Sequence, residues 1–249
     1  MDISWHKRDA NYEKVLRFAN EAFEQGIDLF ILPEMFSTGF SMETSITAEP
    51  LDGRTPGFLR NLARSGNVNV VGGFALKRAD GKPQNVSLAV DRKGRDYALY
   101  AKVHLISLLE EDEYYEPGNE AVVFEMEGIK ASCFVCFDLR FPEIFRSVAD
   151  RCGVIMVIAS WPESRQNHWD VLLRARAIEN QCFIVGVNRV GSGGGLNFKG
   201  GTAIIDPSGD LIAEGSDKEG LVSAEIDLDE VQRIRTSMPF LKGRKRDLF

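Results

Sequence analysis

Histidine and cysteine are the scarce chemistry-bearing residues here, with three of the first and four of the second in 249 positions. The four thiols, at 133, 136, 152 and 182, are too few and too irregularly spaced for the disulfide framework of a small secreted domain. No second cysteine pair and no histidine cluster stands in the sequence to complete a metal site with Cys133 and Cys136. Long hydrophobic runs are lacking too. The longest, such as Val154 to Ala159, are strand-sized and fall far below the roughly 20 apolar residues that a membrane-spanning helix needs. Positive charge is not in excess either. A net charge of −7 and a pI near 5.2 disfavour non-specific binding to nucleic acid or to an anionic membrane. The basic stretch Lys242-Gly243-Arg244-Lys245-Arg246 is too short to reverse that balance. No signal-like apolar segment opens the chain, so a reducing cytoplasm is the expected compartment.

What remains is an ordinary globular composition, 44% hydrophobic and 27% charged, with no linker, repeat or low-complexity block and enough length for one large core. Tyr12, Val15, Leu16, Ala19, Ala22 and Phe23 recur at three- and four-residue spacing and predict a helix over 11–24, stopped by Gly26. The continuous apolar run 28–32, ended by Pro33, predicts a strand covered on both faces, which puts Glu34 just past a strand end. A helix over 55–64 and a strand over 68–74 follow. Two hairpins are expected, 86–91 with 96–101 and 121–125 with 130–136, so Lys102 and Cys136 also fall at strand ends. Beyond them a helix over 142–151, a strand over 154–159, a helix over 167–180 and a strand over 182–188 alternate as in βαβ units. Strands near 201–206, 211–214 and 221–226 and a short helix from 227 close the chain. The pattern is α/β, one domain over 1–249.

The stretch Cys133-Phe134-Val135-Cys136-Phe137-Asp138-Leu139-Arg140-Phe141-Pro142-Glu143 passes from an apolar strand through polar residues into a helix. A thiol at such a turn projects into a site, with the next backbone N–H, that of Phe137, able to face a developing oxyanion. Two other readings stand beside it: a buried structural cysteine, a common fate for free thiols, and a Cys-x-x-Cys redox or zinc pair. In a strand, residues three apart point to opposite faces, which keeps Cys133 and Cys136 from meeting. A cysteine nucleophile needs a proton acceptor and a holder of negative charge. Histidine serves in papain-like schemes, and His104, close to Lys102, is the candidate among His6, His104 and His168; a glutamate base with a lysine cation does the same work. Arg174, Arg176 and Glu179 read as a helix-face charge pattern. Gly191-Ser192-Gly193-Gly194-Gly195 lacks the Lys-Ser/Thr ending of a phosphate loop and reads as a flexible loop near the site.

Three separated segments resemble the signatures of the nitrilase-like carbon–nitrogen hydrolases: Leu32-Pro33-Glu34-Met35-Phe36, Tyr100-Ala101-Lys102-Val103-His104-Leu105, and Cys136-Phe137-Asp138-Leu139-Arg140-Phe141-Pro142. The resemblance runs along nearly the whole chain, through Asn85, Ala159-Ser160-Trp161-Pro162, the 174–180 stretch and Asn188-Arg189. It implies a four-layer α-β-β-α sandwich of two mixed sheets, a homodimer, and a triad of Cys136 as nucleophile, Glu34 as general base and Lys102 as oxyanion-stabilising cation. A further glutamate of the family falls on Glu111, aligned backwards from Gly118-Asn119, with Glu110 or Glu113 as substitutes. The implied chemistry needs no metal or organic cofactor.

Pro33-Glu34-Met35-Phe36-Ser37-Thr38-Gly39-Phe40-Ser41-Met42, Trp161-Pro162 and His168-Trp169 look most like the omega-amidase branch. That likeness implies hydrolysis of the terminal amide of 2-oxoglutaramate or 2-oxosuccinamate, with Phe36, Phe40 and Trp161 lining a small pocket beside Phe137 and an arginine or backbone donors receiving the carboxylate. An N-carbamoyl-amine hydrolase, an aliphatic amidase or a nitrilase would use the same triad, and a catalytically silent binding or regulatory homologue is the alternative of another class. One departure from the family is visible. Its members usually begin with an apolar strand that ends near a motif like Asp2-Ile3-Ser4-Trp5, whereas here Met1 stands where that strand should be nearly finished. Either the start lies upstream, or the strand is shortened and a frayed sheet edge is expected.

Overall fold

In the computed structural model, which describes residues 1–245, two sheets lie face to face between layers of helices. Arg246 of the basic tail and the end of the expected domain lie outside the described residues. The first sheet holds β1 (Leu29–Ile31), β2 (Ala48–Glu49), β3 (Asn69–Leu76), β4 (Gln84–Val90) and β5 (Asp96–Ala101), in the order β1-β3-β4-β5 with β2 also on β3. β1 and β2 run parallel to β3, and β3-β4-β5 is antiparallel. Next come β6 (Phe124–Met126), β7 (Ile129–Val135), β8 (Val154–Ala159), β9 (Phe183–Asn188), the separate hairpin β10 (Val190–Gly193) with β11 (Leu196–Lys199), then β12 (Ala203–Ile205) and β13 (Leu211–Glu214). The second sheet has the order β13-β12-β9-β8-β7-β6, parallel through β9-β8-β7 and antiparallel at both edges.

Helices α1 (Arg8–Glu24), α2 (Thr44–Thr47), α3 (Arg54–Gly66), α4 (Glu111–Tyr114), α5 (Pro142–Val148), α6 (Gln166–Asn180) and α7 (Asp229–Ser237) connect them. Strand alternation divides the core. Val70 and Phe74 of β3 and Val86, Leu88 and Val90 of β4 pack under α1 and α3 against Val15, Ala19, Leu59 and Leu62. Their neighbours Val71 and Ala89 point the other way, into the interface with β7 and β8, where the Ser87 hydroxyl donates to the carbonyl of Cys133 at 3.4 Å. On the far side of the second sheet Phe145, Val148, Trp169, Leu173 and Ala177 of α5 and α6 complete the fourth layer. No helix among the described residues is long and apolar enough to cross a membrane.

Three expectations are corrected. The 221–226 segment forms no strand: Leu221 packs on the helix-side core of the first sheet and Ile226 on the core cluster around the second sheet, so its alternation reports packing without backbone pairing. The glycine stretch 191–195 is an antiparallel hairpin rather than a flexible loop, because Gly194 and Gly195 supply the two positive φ angles that a tight two-residue turn needs. The N-terminal segment is not frayed. The amide of Val190 donates to the carbonyl of Met1 at 3.1 Å, Ile3 is 1% exposed, and the buried Arg189 guanidinium holds Asp2 Oδ1 at 3.2 Å and the carbonyl of Ile3 at 3.1 Å.

Candidate active site

Four strands of the two sheets end at one place. Glu34 follows β1 by way of Leu32-Pro33, Lys102 follows β5, Cys136 follows β7 and Ser160 follows β8. The sheets approach closely there because Gly73 has no side chain. A Cβ at that position would stand 3.0 Å from the Cα of Glu34 and 2.8 Å from Ile158 Cδ1.

Glu34, Lys102 and Glu111 are fully buried. Lys102 Nζ donates to Glu111 Oε2 at 2.8 Å and Oε1 at 3.0 Å, and to Glu34 Oε1 at 3.3 Å. The amide nitrogen of Asn85 bridges both acids, reaching Glu34 Oε1 at 2.7 Å and Glu111 Oε1 at 3.0 Å. The other oxygens take backbone donors: Glu34 Oε2 accepts from the Ser160 N–H at 2.7 Å, and Glu111 Oε2 from the Ile106 N–H at 2.9 Å. Two buried carboxylates are thus held by one ammonium and three neutral N–H donors, the satisfaction that buried charge requires. The ring of Phe40 lies 5.1 Å from Lys102 Nζ.

Electrostatics set the proton inventory. Burial works against the charge of Lys102, but Glu111, Glu34 and a hydrogen bond to Glu111 overcome it and keep its pKa above the ordinary lysine value. The Cys136 thiol goes well above its ordinary range. Burial is the largest cause and the charges of Glu34 and Glu111 add to it, while Lys102 and the Ser160 backbone donor act in the opposite sense. The Cys136 thiol is therefore protonated at rest, and an attack by its sulfur would require a group that takes the proton.

The turn that carries the thiol is held from two sides. Cys136 takes the left-handed conformation at φ 46°, uncommon for a residue with a side chain and a frequent mark of functional turns. Buried Asp138 accepts from the Val135 N–H at 3.1 Å, the Tyr100 hydroxyl at 2.7 Å, the His104 N–H at 2.9 Å and, in the matching tautomer, His104 Nδ1 at 2.8 Å. From α6, Arg176 Nη2 donates to the carbonyl of Leu139 at 2.7 Å and Nη1 to Glu179 at 2.9 Å.

The structure brings Glu34, Lys102, Glu111, Cys136 and Phe40 together, with Phe137 and Trp161 beside them around Arg140. Phe36 is not brought in. The left-handed turn at Met35 sends its ring into the helix-facing core, 6.3 Å from the ring of Tyr12 and 6.2 Å from that of Phe58. His104 lies against Asp138 and Phe141 instead of the thiol. Arg176, read as part of a helix-face charge pattern, does pair with Glu179 on α6 but is 4% exposed. Sequence reasoning assigned no role to Asn85, Asp138 or the Ser160 N–H. Asn85 stands in an apolar strand, which is a signal; a backbone donor leaves none.

A family model described as Carbon-nitrogen hydrolase matches residues 1–236. A 2-oxoglutaramate amidase from Bacillus subtilis is 37% identical over 250 residues, covering 100% of this chain and 96% of that protein. Omega-amidase YafV from Escherichia coli is 34% identical, covering 86% of this chain and 83% of that protein. A solved CN-hydrolase superfamily protein from Xanthomonas campestris, with an arsenic adduct in its active site, superposes with a TM-score of 0.89 at 32% identity, covering 98% and 94% of the two chains. A mutant amidase from Nesterenkonia sp. AN1, which shows Michael addition of acrylamide at its active-site cysteine, superposes with a TM-score of 0.85 at 26% identity, covering 96% and 95%. The chain belongs to the carbon–nitrogen hydrolase family, and its layers form the α-β-β-α sandwich which that membership implies.

Proposed function

We propose that this protein hydrolyses the terminal amide of a small 2-oxo acid, 2-oxoglutaramate or 2-oxosuccinamate, to the acid and ammonia. The supporting observation is a thiol on a left-handed turn beside a buried Glu34–Lys102–Glu111 cluster, in a chain whose relatives are named 2-oxoglutaramate amidase and omega-amidase. The Cys136 sulfur attacks the amide carbonyl while Glu34 takes the thiol proton. Lys102 and the Phe137 N–H hold the oxyanion. Collapse expels ammonia, with the proton returned by Glu34, and leaves a thioester on Cys136. Glu34 then draws a proton from water, whose oxygen attacks the thioester; the carbon–sulfur bond breaks, the acid leaves, and Glu34 returns the proton to the Cys136 sulfur. Glu111 keeps Lys102 charged and oriented through both halves.

Phe40 and Trp161 flank the acyl position in this reading. A homodimer fits the apolar residues Val171 and Ile178 that α6 exposes with Leu211 and Ile212 of β13, and the buried, unpaired thiols Cys133, Cys152 and Cys182 are compatible with a reducing cytoplasm.

The test is ammonia release from 2-oxoglutaramate, 2-oxosuccinamate, glutamine, short aliphatic amides, N-carbamoyl compounds and nitriles, beside Cys136→Ala. Release from the 2-oxo amides that the mutant loses is the expected result. Activity confined to another class overturns the substrate and keeps the triad; none from any class, with a reactive thiol, favours a silent homologue.

A further inference from the structure

The second sheet stops pairing just short of the site. The last register pair of β8 and β9 is Ala159 with Asn188, and the two residues that follow β8, Ser160 and Trp161, lie beyond the ladder. Both are buried, so their backbone groups need partners other than bulk water. The Ser160 N–H points across to Glu34 Oε2 at 2.7 Å. The Trp161 backbone is met by one side chain: Asn188 Oδ1 accepts from its N–H at 2.8 Å, and Asn188 Nδ2 donates to its carbonyl at 3.1 Å. Pro162 comes next and has no N–H with which to continue a ladder. A side-chain amide carries a donor and an acceptor side by side, as backbone does, so Asn188 prolongs β9 with its side chain.

Asn188 is itself buried and held in one orientation. Nδ2 also donates to the carbonyl of Gly200 at 2.8 Å, its N–H donates to Thr202 Oγ1 at 3.1 Å, and that hydroxyl donates to the Asn188 carbonyl at 3.2 Å. Reversing the amide would set Nδ2 against an N–H and Oδ1 against two carbonyls. We propose that Asn188 is a positioning residue of the reaction: by fixing the Trp161 backbone it aims the Ser160 N–H at the carboxylate that takes the thiol proton. The ladder holds Ala159 on one side of Ser160 and Asn188 holds Trp161 on the other, which leaves Ser160 no freedom to turn its N–H away. The same N–H acts on the Cys136 sulfur in favour of thiolate. Asn188 works through Ser160 and not on the reacting atoms, and its effect on turnover rests on the amidase reading.

The experiment reads the thiol apart from hydrolysis. Iodoacetamide exchanges its carbon–iodine bond for a sulfur–carbon bond, with loss of iodide and the thiol proton, and mass spectrometry of the Cys136 peptide follows it. In Asn188→Ala the Ser160 donor loses its aim and thiolate its support, so alkylation at neutral pH should slow about threefold or more. A merely structural loss has the opposite sign, because a loosened fold opens the site and speeds alkylation. Under the amidase reading, kcat for 2-oxoglutaramate should fall about tenfold to a hundredfold, more than KM rises. Adding Asn188→Ala to Glu34→Gln should lower the remaining rate by less than about twofold, since both changes act through one carboxylate. If Asn188→Ala does not fold, Thr202→Val decides: it keeps the amide and removes the hydroxyl that anchors its backbone, and slower alkylation is again expected. Alkylation unchanged or faster in the variant that decides, or full additivity with Glu34→Gln, overturns the proposal. Slower alkylation in a protein that releases no ammonia from 2-oxo amides supports the positioning role and removes the amidase reading; 2-oxo amide hydrolysis with both rates indifferent to Asn188 does the reverse.

Discussion

Glu34 raises the pKa of the thiol it is proposed to deprotonate, and this opposition separates reactivity from turnover. Glu34→Gln removes a negative charge that disfavours thiolate, so iodoacetamide should alkylate Cys136 faster at neutral pH than in the unmodified protein. Amide hydrolysis should drop by about 10²–10⁴-fold, the usual worth of a general base. Both rates falling together would show that Glu34 only supports the fold. Lys102 acts in the opposite sense on the thiol, and its two carboxylate partners make it the centre of the cluster. Asn85 has a quieter part: one amide nitrogen spans both acids, so their separation is set by the register of β4 rather than by flexible side chains.

At the scale of elements, the turn that carries Cys136 is suspended between the β5 end and α6. Asp138 ties it to Tyr100 and His104, and Arg176 ties it to the helix. Arg176→Met should therefore cost about 1–3 kcal/mol, since it strands the buried carbonyl of Leu139. It should also lower kcat more than it raises KM, because no contact with substrate is lost. Thermal unfolding and steady-state kinetics check the pair; a lowered Tm with unchanged kcat would make Arg176 a stability residue alone. The C-terminal helix α7 is fastened in a similar way. Arg235 donates to the carbonyls of Ala149, Cys152, Asn180 and Gln181 near the ends of α5 and α6, groups that helices leave unsatisfied.

The whole molecule carries its thiols in a way that makes its stability depend on alkaline pH. Burial pushes Cys133 and Cys182 up to about 12 and Cys152 to about 11, and Cys136 is raised well above the ordinary range. Unfolded, they ionise near pH 8.5. A raised folded pKa favours the folded state fully below the unfolded value, and that benefit is lost as pH rises towards the folded value. Unfolding free energy under reducing conditions should therefore fall from about pH 8.5 to 11, by about 1 kcal/mol per pH unit for each thiol. Denaturant titrations at pH 8 and pH 10 measure it; a flat profile would mean that the thiols ionise without unfolding.

Much of this was legible in the chain. Short apolar runs ending in Pro33-Glu34, Ala101-Lys102 and Val135-Cys136 placed three chemical groups at strand ends, because burial period and strand length are local properties. The strand 154–159 and the helix closing at Asn180 were legible for the same reason. What local pattern could not show was whether an extended segment finds an edge: 221–226 alternates like a strand and pairs with none. Nor could it show where Phe36 turns once Met35 adopts φ 45°, or that Arg176 lies in the interior.

By itself, then, the sequence determined the α/β class, the residue types for acyl transfer at strand ends, the scarcity of cysteine that argues against a disulfide scaffold, and apolar runs too short for a membrane-spanning helix. Only the tertiary structure decided which of the acids 110–113 meets Lys102 and that Asn85 bridges two carboxylates. Those facts depend on two sheets closing over Gly73, on side chains far apart in sequence sharing one buried space. Periodicity describes one element against its surroundings, whereas a site is made by the distances between elements.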